Sequence, residues 1–80
     1  MAVAVIPSAL RHRTGGRERV LVEASDVRKL FAELERHFPG LGDELRGSAI
    51  AIDGEIVNEP LLEPIEPDAE VHFVPRLGGG

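Results

Sequence analysis

Apolar positions recur along this chain with two different periods, and the change from one to the other marks out its elements. Val3 to Ile6 is a short β-branched run stopped by Pro7, and Arg19-Val20-Leu21-Val22-Glu23 is a second; both read as strands. Between them Arg11-His12-Arg13-Thr14-Gly15-Gly16-Arg17 is polar and holds a Gly-Gly pair, so the two strands are expected to form a β-hairpin with this segment as its tip. The period then lengthens. Val27, Leu30, Phe31, Leu34 and Phe38 form one stripe at helical spacing, while Arg28, Lys29, Glu33, Glu35 and Arg36 take the opposite side. Ser25 is the expected N-cap, with Asp26 in the first turn, where a negative charge favours the helix dipole. Pro39-Gly40 ends the helix, and Leu41 and Leu45 then predict a turn or short helix folded back on the core.

The two-residue period returns in Ala49-Ile50-Ala51-Ile52. Asp53-Gly54 is a turn signal, and Glu55-Ile56-Val57 is either a fourth strand or a continuation of the third. From Asn58 to Pro67 the chain holds Pro60, Pro64 and Pro67, which disfavours regular structure, yet Leu61, Leu62 and Ile65 need shelter. A semi-rigid loop wrapped on the body is expected. Glu70-Val71-His72-Phe73-Val74 is the last strand, with Val71 and Phe73 on one face and His72 and Val74 on the other. The result is an α+β domain over residues 1–75, a sheet of four to five strands with one main helix packed on one face. Such a sheet leaves its other face in water, where Val74 would be an apolar docking position beside the chain's end.

Composition narrows the chemistry. The chain has 80 residues and no cysteine, so the fold rests on packing without disulfides, and no thiolate site can form. A net charge of −5 and the absence of Trp and Tyr argue against nucleic-acid binding. The opening apolar run is too short to span a membrane and no basic region precedes it, so a soluble, cytoplasmic protein is expected. The charge is uneven. Residues 1–19 carry four arginines against one glutamate, whereas residues 43–70 carry nine carboxylates against one arginine. The acidic stretch is either a solvated face or a surface that steers the domain onto a basic partner.

No catalytic constellation is present. His12, His37 and His72 fall on a turn, a helix end and a strand, without metal-type spacing. Thr14-Gly15-Gly16 lacks the spacing and lysine of a phosphate loop, and no serine sits in a nucleophile elbow. The end of the sequence, Arg76-Leu77-Gly78-Gly79-Gly80, reads as a flexible tail. Glycines bury nothing and lose the most backbone entropy on ordering, so they contribute nothing to a core. They make a thin segment able to thread a narrow channel. Fully extended, the tail reaches roughly 17 Å beyond Pro75, far enough to enter another protein's catalytic pocket.

Several segments together resemble the MoaD/ThiS family of ubiquitin-like sulfur carriers. They are Thr14-Gly15-Gly16-Arg17, Glu35-Arg36-His37-Phe38-Pro39-Gly40-Leu41, Ile52-Asp53-Gly54-Glu55-Ile56-Val57, the approach from Pro64 to Val71, and the closing Gly79-Gly80. The family's usual Asp-Gly-Asp-Glu-Val turn is here Pro67-Asp68-Ala69-Glu70-Val71, without the glycine, and Arg76 and Gly78 are further departures. The resemblance implies a ubiquitin-like β-grasp fold and a carrier that is not itself an enzyme. It implies that a ubiquitin-activating-type enzyme uses ATP to adenylate the Gly80 carboxylate, that a persulfide donor supplies sulfur to give a thiocarboxylate, and that an acceptor synthase receives it. That synthase belongs to molybdopterin synthesis (as a large subunit), to thiamine or to cysteine synthesis. No cofactor stays on the carrier. Gly78 and Gly79 would be passage residues and Arg76 and Leu77 the rest of the tail, with His72, Val74 and Pro75 docking the partner. Two other readings share the tail: a modifier joined through Gly80 to a target lysine, and a non-covalent β-grasp interaction domain.

Overall fold

The computed structural model describes residues 1–57 and 62–75. Strands β1 (Ala2–Val5), β2 (Arg19–Val22), β3 (Ser48–Ile52), β4 (Glu55–Val57) and β5 (Glu70–Pro75) form one sheet in the order β2-β1-β5-β3-β4. Helices α1 (Val27–His37) and α2 (Leu41–Leu45) complete the set with a 3-10 helix at Ser8–Thr14. β1 and β5 pair in parallel and the other neighbours antiparallel, so the sheet is mixed.

Alternation decides which side of each strand is buried. Ala2, Ala4, Val20, Val22, Ile50, Val71 and Phe73 point inward and join Val27, Leu30 and Leu34 of α1 in one core, closed at one end by Leu41 and Leu45. Phe31 lies edge-to-face on Phe73, ring centres 5.8 Å apart and planes at 70°, fixing α1 against the centre of the sheet. The expected turn or short helix after Pro39 is thus a helix, and both its leucines are fully buried.

Local details differ from expectation in three places. Asp26, not Ser25, caps α1: its backbone is extended and its Oδ1 accepts the Lys29 N–H at 2.8 Å, while Ser25 Oγ sits 3.1 Å from the Lys29 ammonium. A carboxylate one residue nearer the first turn reaches the orphan amide directly. β1 and β2 do pair as antiparallel neighbours, but the connection is the 3-10 helix with Gly15 and Gly16 at φ 66° and 88° following it, instead of a simple polar tip. Thr14 Oγ1, buried at the helix end, donates to Arg17 O at 2.9 Å, and a bond from Ile6 N–H to Glu18 O at 2.7 Å ties the two ends of this connection together. Finally, Leu62 is 80 % exposed. The loop is secured at the start of α1 by Val27 N–H to Glu63 O (3.1 Å) and Ile65 N–H to Ser25 O (2.9 Å), which buries Ile65 and leaves Leu62 upstream of the anchor. Leu61 lies outside the described residues.

β3 and β4 form a hairpin through Asp53 and Gly54, at φ 49° and 87°, so Glu55–Val57 is a fourth strand and not an extension of the third. Asp53 has a second role. Its Oδ1 accepts the Glu70 N–H and its own N–H donates to Glu70 O, both at 2.9 Å, locking the start of β5 to the turn. The preceding turn holds Asp68 at φ 68°, an aspartate in a left-handed position.

Candidate functional site

Where the chain leaves the domain is set by β5, the strand between β1 and β3 in the sheet. Its register runs Val71 opposite Ile52, His72 opposite Ala51, Phe73 opposite Ile50, Val74 opposite Ala49 and Pro75 opposite Ser48. The inward residues Val71 and Phe73 are buried, so β5 cannot slip by one position without exposing both. Gly78, Gly79, Gly80, Arg76 and Leu77, the expected tail residues, lie outside the described residues. They follow a strand whose last pair, Ser48 with Pro75, lies at one end of the β3–β5 ladder.

His72 and Val74 both fall on the sheet face away from α1, as alternation requires, and both are half-buried. Across the parallel ladder His72 lies beside Val5, and across β3 it lies beside Ala51. The same face continues outward to Leu21 on β2 and Ile56 on β4, exposed at 67 % and 59 %. The predicted docking pair is therefore the centre of an apolar strip that crosses all five strands. Leu21 and Ile56 were not singled out from the sequence. The signal lay in the uninterrupted Val20-Leu21-Val22 run, where period two gives two apolar faces and no means of ranking them.

Charge surrounds the strip at the end remote from Pro75. Glu70 pairs with Arg19, and its Oε1 lies 3.8 Å from His72 Nε2. Asp53 and Asp68 sit near the start of β5, whereas Asp43 and Glu44 are on α2, with Glu44 held by Arg13 at 2.7 Å. The run of carboxylates from residue 43 to 70 is thus divided between separate places. A hydrogen bond from Arg13 holds the Glu44 carboxyl below its ordinary range, and one from Arg36 does the same for Glu33; neither pair belongs to the outer sheet face. His12, His37 and His72 stand on the 3-10 helix, the last residue of α1 and β5. Among the described residues no three His, Cys, Asp or Glu side chains group as metal ligands, and no helix is long and apolar enough to cross a membrane.

A mixed five-stranded sheet grasping one main helix, with parallel β1 and β5 at its centre, is the ubiquitin-like β-grasp fold. Two crystal structures share it over essentially their whole length. A chain of the Amycolatopsis orientalis BexX/CysO complex superposes with a TM-score of 0.88 at 21 % identity, covering 100 % of both chains. Mycobacterium tuberculosis CysO gives 0.87 at 21 % identity, covering 96 % of this chain and 100 % of that one. No curated protein sequence matches the chain. Residues 4–80 match the ThiS family, and the chain belongs to that family. Membership supports a sulfur-carrier role in general terms.

Proposed function

We propose that this protein carries sulfur on the carboxylate of Gly80. The observation that supports this reading most is the family match running through Gly80, five residues beyond the last strand. A carboxylate is a poor electrophile because its leaving group is oxide. In the proposed sequence an activating enzyme lets the Gly80 carboxylate attack the α-phosphorus of ATP, releasing pyrophosphate and leaving an acyl-adenylate. A donor persulfide sulfur then displaces AMP, which carries away one carboxylate oxygen, and a thiol cleaves the resulting acyl disulfide to free the thiocarboxylate. Glycine at Gly79 and Gly80 keeps the carbonyl carbon unhindered.

The domain's own part is positioning. His72 and Val74 dock the activating enzyme through the outer sheet face, with Leu21 and Ile56 at its margins, and Pro75 ends β5 beside that face. ATP is bound by the partner, and the carrier is a substrate of enzymes rather than a catalyst. The sulfur passes to a synthase of molybdopterin, thiamine or cysteine formation. Incubation with ATP, a persulfide donor and a ThiS-family activating enzyme is expected to exchange oxygen for sulfur at the terminus, read by mass spectrometry of the intact protein. Removing Gly80 is expected to abolish the exchange. An unchanged mass with an enzyme that is active on another carrier would overturn the proposal, and an isopeptide product would assign the chain to protein conjugation instead.

A further inference from the structure

On the side of the domain opposite the docking strip, α1, α2 and the first residues of β3 enclose a cleft of about 940 Å³. Its floor is apolar: Phe31, Ala32 and Ile50 line it, and Phe31 is held in place by its edge-to-face contact with Phe73. Its rim is basic. Arg28, Arg36 and Arg46 all line the cleft, in a chain whose net charge is −5.

Glu35 and Asp43 also stand in the wall, so the lining holds three arginines against two carboxylates. Glu35 uses both oxygens to accept backbone N–H groups, Gly40 at 2.7 Å and Gly42 at 2.9 Å. Asp43 meets Arg46 only at 3.9 Å, with both side chains largely in water. Arg36 is paired with Glu33, and Arg28 has no ion-pair partner among the described residues. The polar groups are long side chains spread around an open trough, and none is a buried donor aimed at a single point. That arrangement suits carboxylates distributed along a segment better than one compact small molecule.

We propose that this cleft is a second docking site, whose occupant is an acidic segment of a partner protein that inserts apolar side chains between α1 and α2. Apolar groups cover Phe31 and Ala32, and flanking glutamates or aspartates pair with Arg28 and Arg46. Ser48 lies in the cleft wall and is also the register partner of Pro75, so a segment bound here lies next to the point where the chain leaves β5. A partner holding the cleft and an enzyme holding the outer sheet face would engage opposite sides of the domain.

The test is a titration of the isotope-labelled full chain with a synthetic peptide of alternating glutamate and leucine, followed by amide NMR shifts. A peptide with lysine in place of glutamate is the control. Shifts centred on α1, α2 and the start of β3 are expected for the acidic peptide alone. The double variant Arg28→Glu, Arg46→Glu alters two exposed side chains, and it is expected to weaken binding by about tenfold while the melting temperature is retained. Equal binding of the lysine peptide, shifts confined to the outer sheet face, no shifts at millimolar peptide, or unchanged affinity in the double variant would each overturn the proposal. The experiment involves neither ATP nor sulfur, so its failure is distinct from failure at Gly80.

Discussion

Ser48 and Pro75 face each other as the last pair of the β3–β5 ladder, one step beyond the pair of Ala49 with Val74 on the outer sheet face. The point at which the chain leaves the sheet and the apolar strip beside it are therefore fixed by a single register. An enzyme that takes up the end of the chain has Val74 as the nearest strand contact on that face. Val74→Asp is expected to lower kcat/KM for thiocarboxylation by about tenfold or more, the effect of a charge at the centre of an interface. Leu21→Ser, at the margin of the strip, should lower it only about twofold to threefold. Circular dichroism should show both variants folded, so equal activity in the Val74 variant would remove the sheet face from the docking surface.

Glu35 holds α2 to α1 by accepting the N–H groups of Gly40 and Gly42. These are charge-assisted bonds to amides at the entry of α2, where Gly40 has φ 93°. Glu35→Ala is expected to cost about 2 kcal/mol and Glu35→Gln about 1 kcal/mol, since the amide keeps one acceptor oxygen. Gly42→Ala should cost less than Glu35→Ala, because a Cβ 2.9 Å from Glu35 Oε1 displaces only the end of that side chain while alanine favours the helix α2. Urea unfolding midpoints measure all three.

Asp68 occupies a left-handed backbone position at φ 68°, and its side chain is 93 % exposed. The strain there is not repaid by packing of the carboxylate. Asp68→Gly is expected to stabilise the fold by about 0.5–1 kcal/mol, whereas Asp68→Ala should destabilise it by a similar amount, since alanine lacks the local hydrogen bonding that lets aspartate tolerate this region. Thermal melts of the two variants should move in opposite directions. This turn is also where the sequence departs from the motif of the resemblance, with Asp68 at φ 68° in the glycine's place.

The Arg13–Glu44 pair links the 3-10 helix to α2 at 2.7 Å. The hydrogen bond from Arg13, reinforced by its charge, holds the Glu44 carboxyl below its ordinary range, against desolvation acting the other way. A carboxyl with a lowered pKa in the folded state contributes stability above its unfolded value of about 4.3, and that contribution is lost as pH falls through the folded value. Arg13 is shifted upward by the same bond and stays charged throughout the accessible range. Arg13→Gln should therefore lower the urea midpoint at neutral pH, and the gap from the parent should close as pH falls below about 4.3 and through the folded value. A gap that persists in acid would show that Arg13 acts through packing instead.

Local period and composition were enough to determine much of this protein. The helical stripe from Val27 to Leu34, the break at Pro39-Gly40, the turn at Asp53-Gly54 and the shared face of Val71 and Phe73 all depend on neighbours a few residues away, and all are legible in one pass along the chain. Tertiary structure decided what depends on distant segments. It paired β1 with β5 in parallel, which sets Val5 beside His72, and it selected Val20 and Val22 over Leu21 for the core. It also buried Ile65 and left Leu62 in water, because the bonds to the entry of α1 are made by Glu63 and Ile65, downstream of Leu62. A two-residue period says that neighbouring side chains oppose one another; only the shared core of the assembled sheet and helix says which of them is inside.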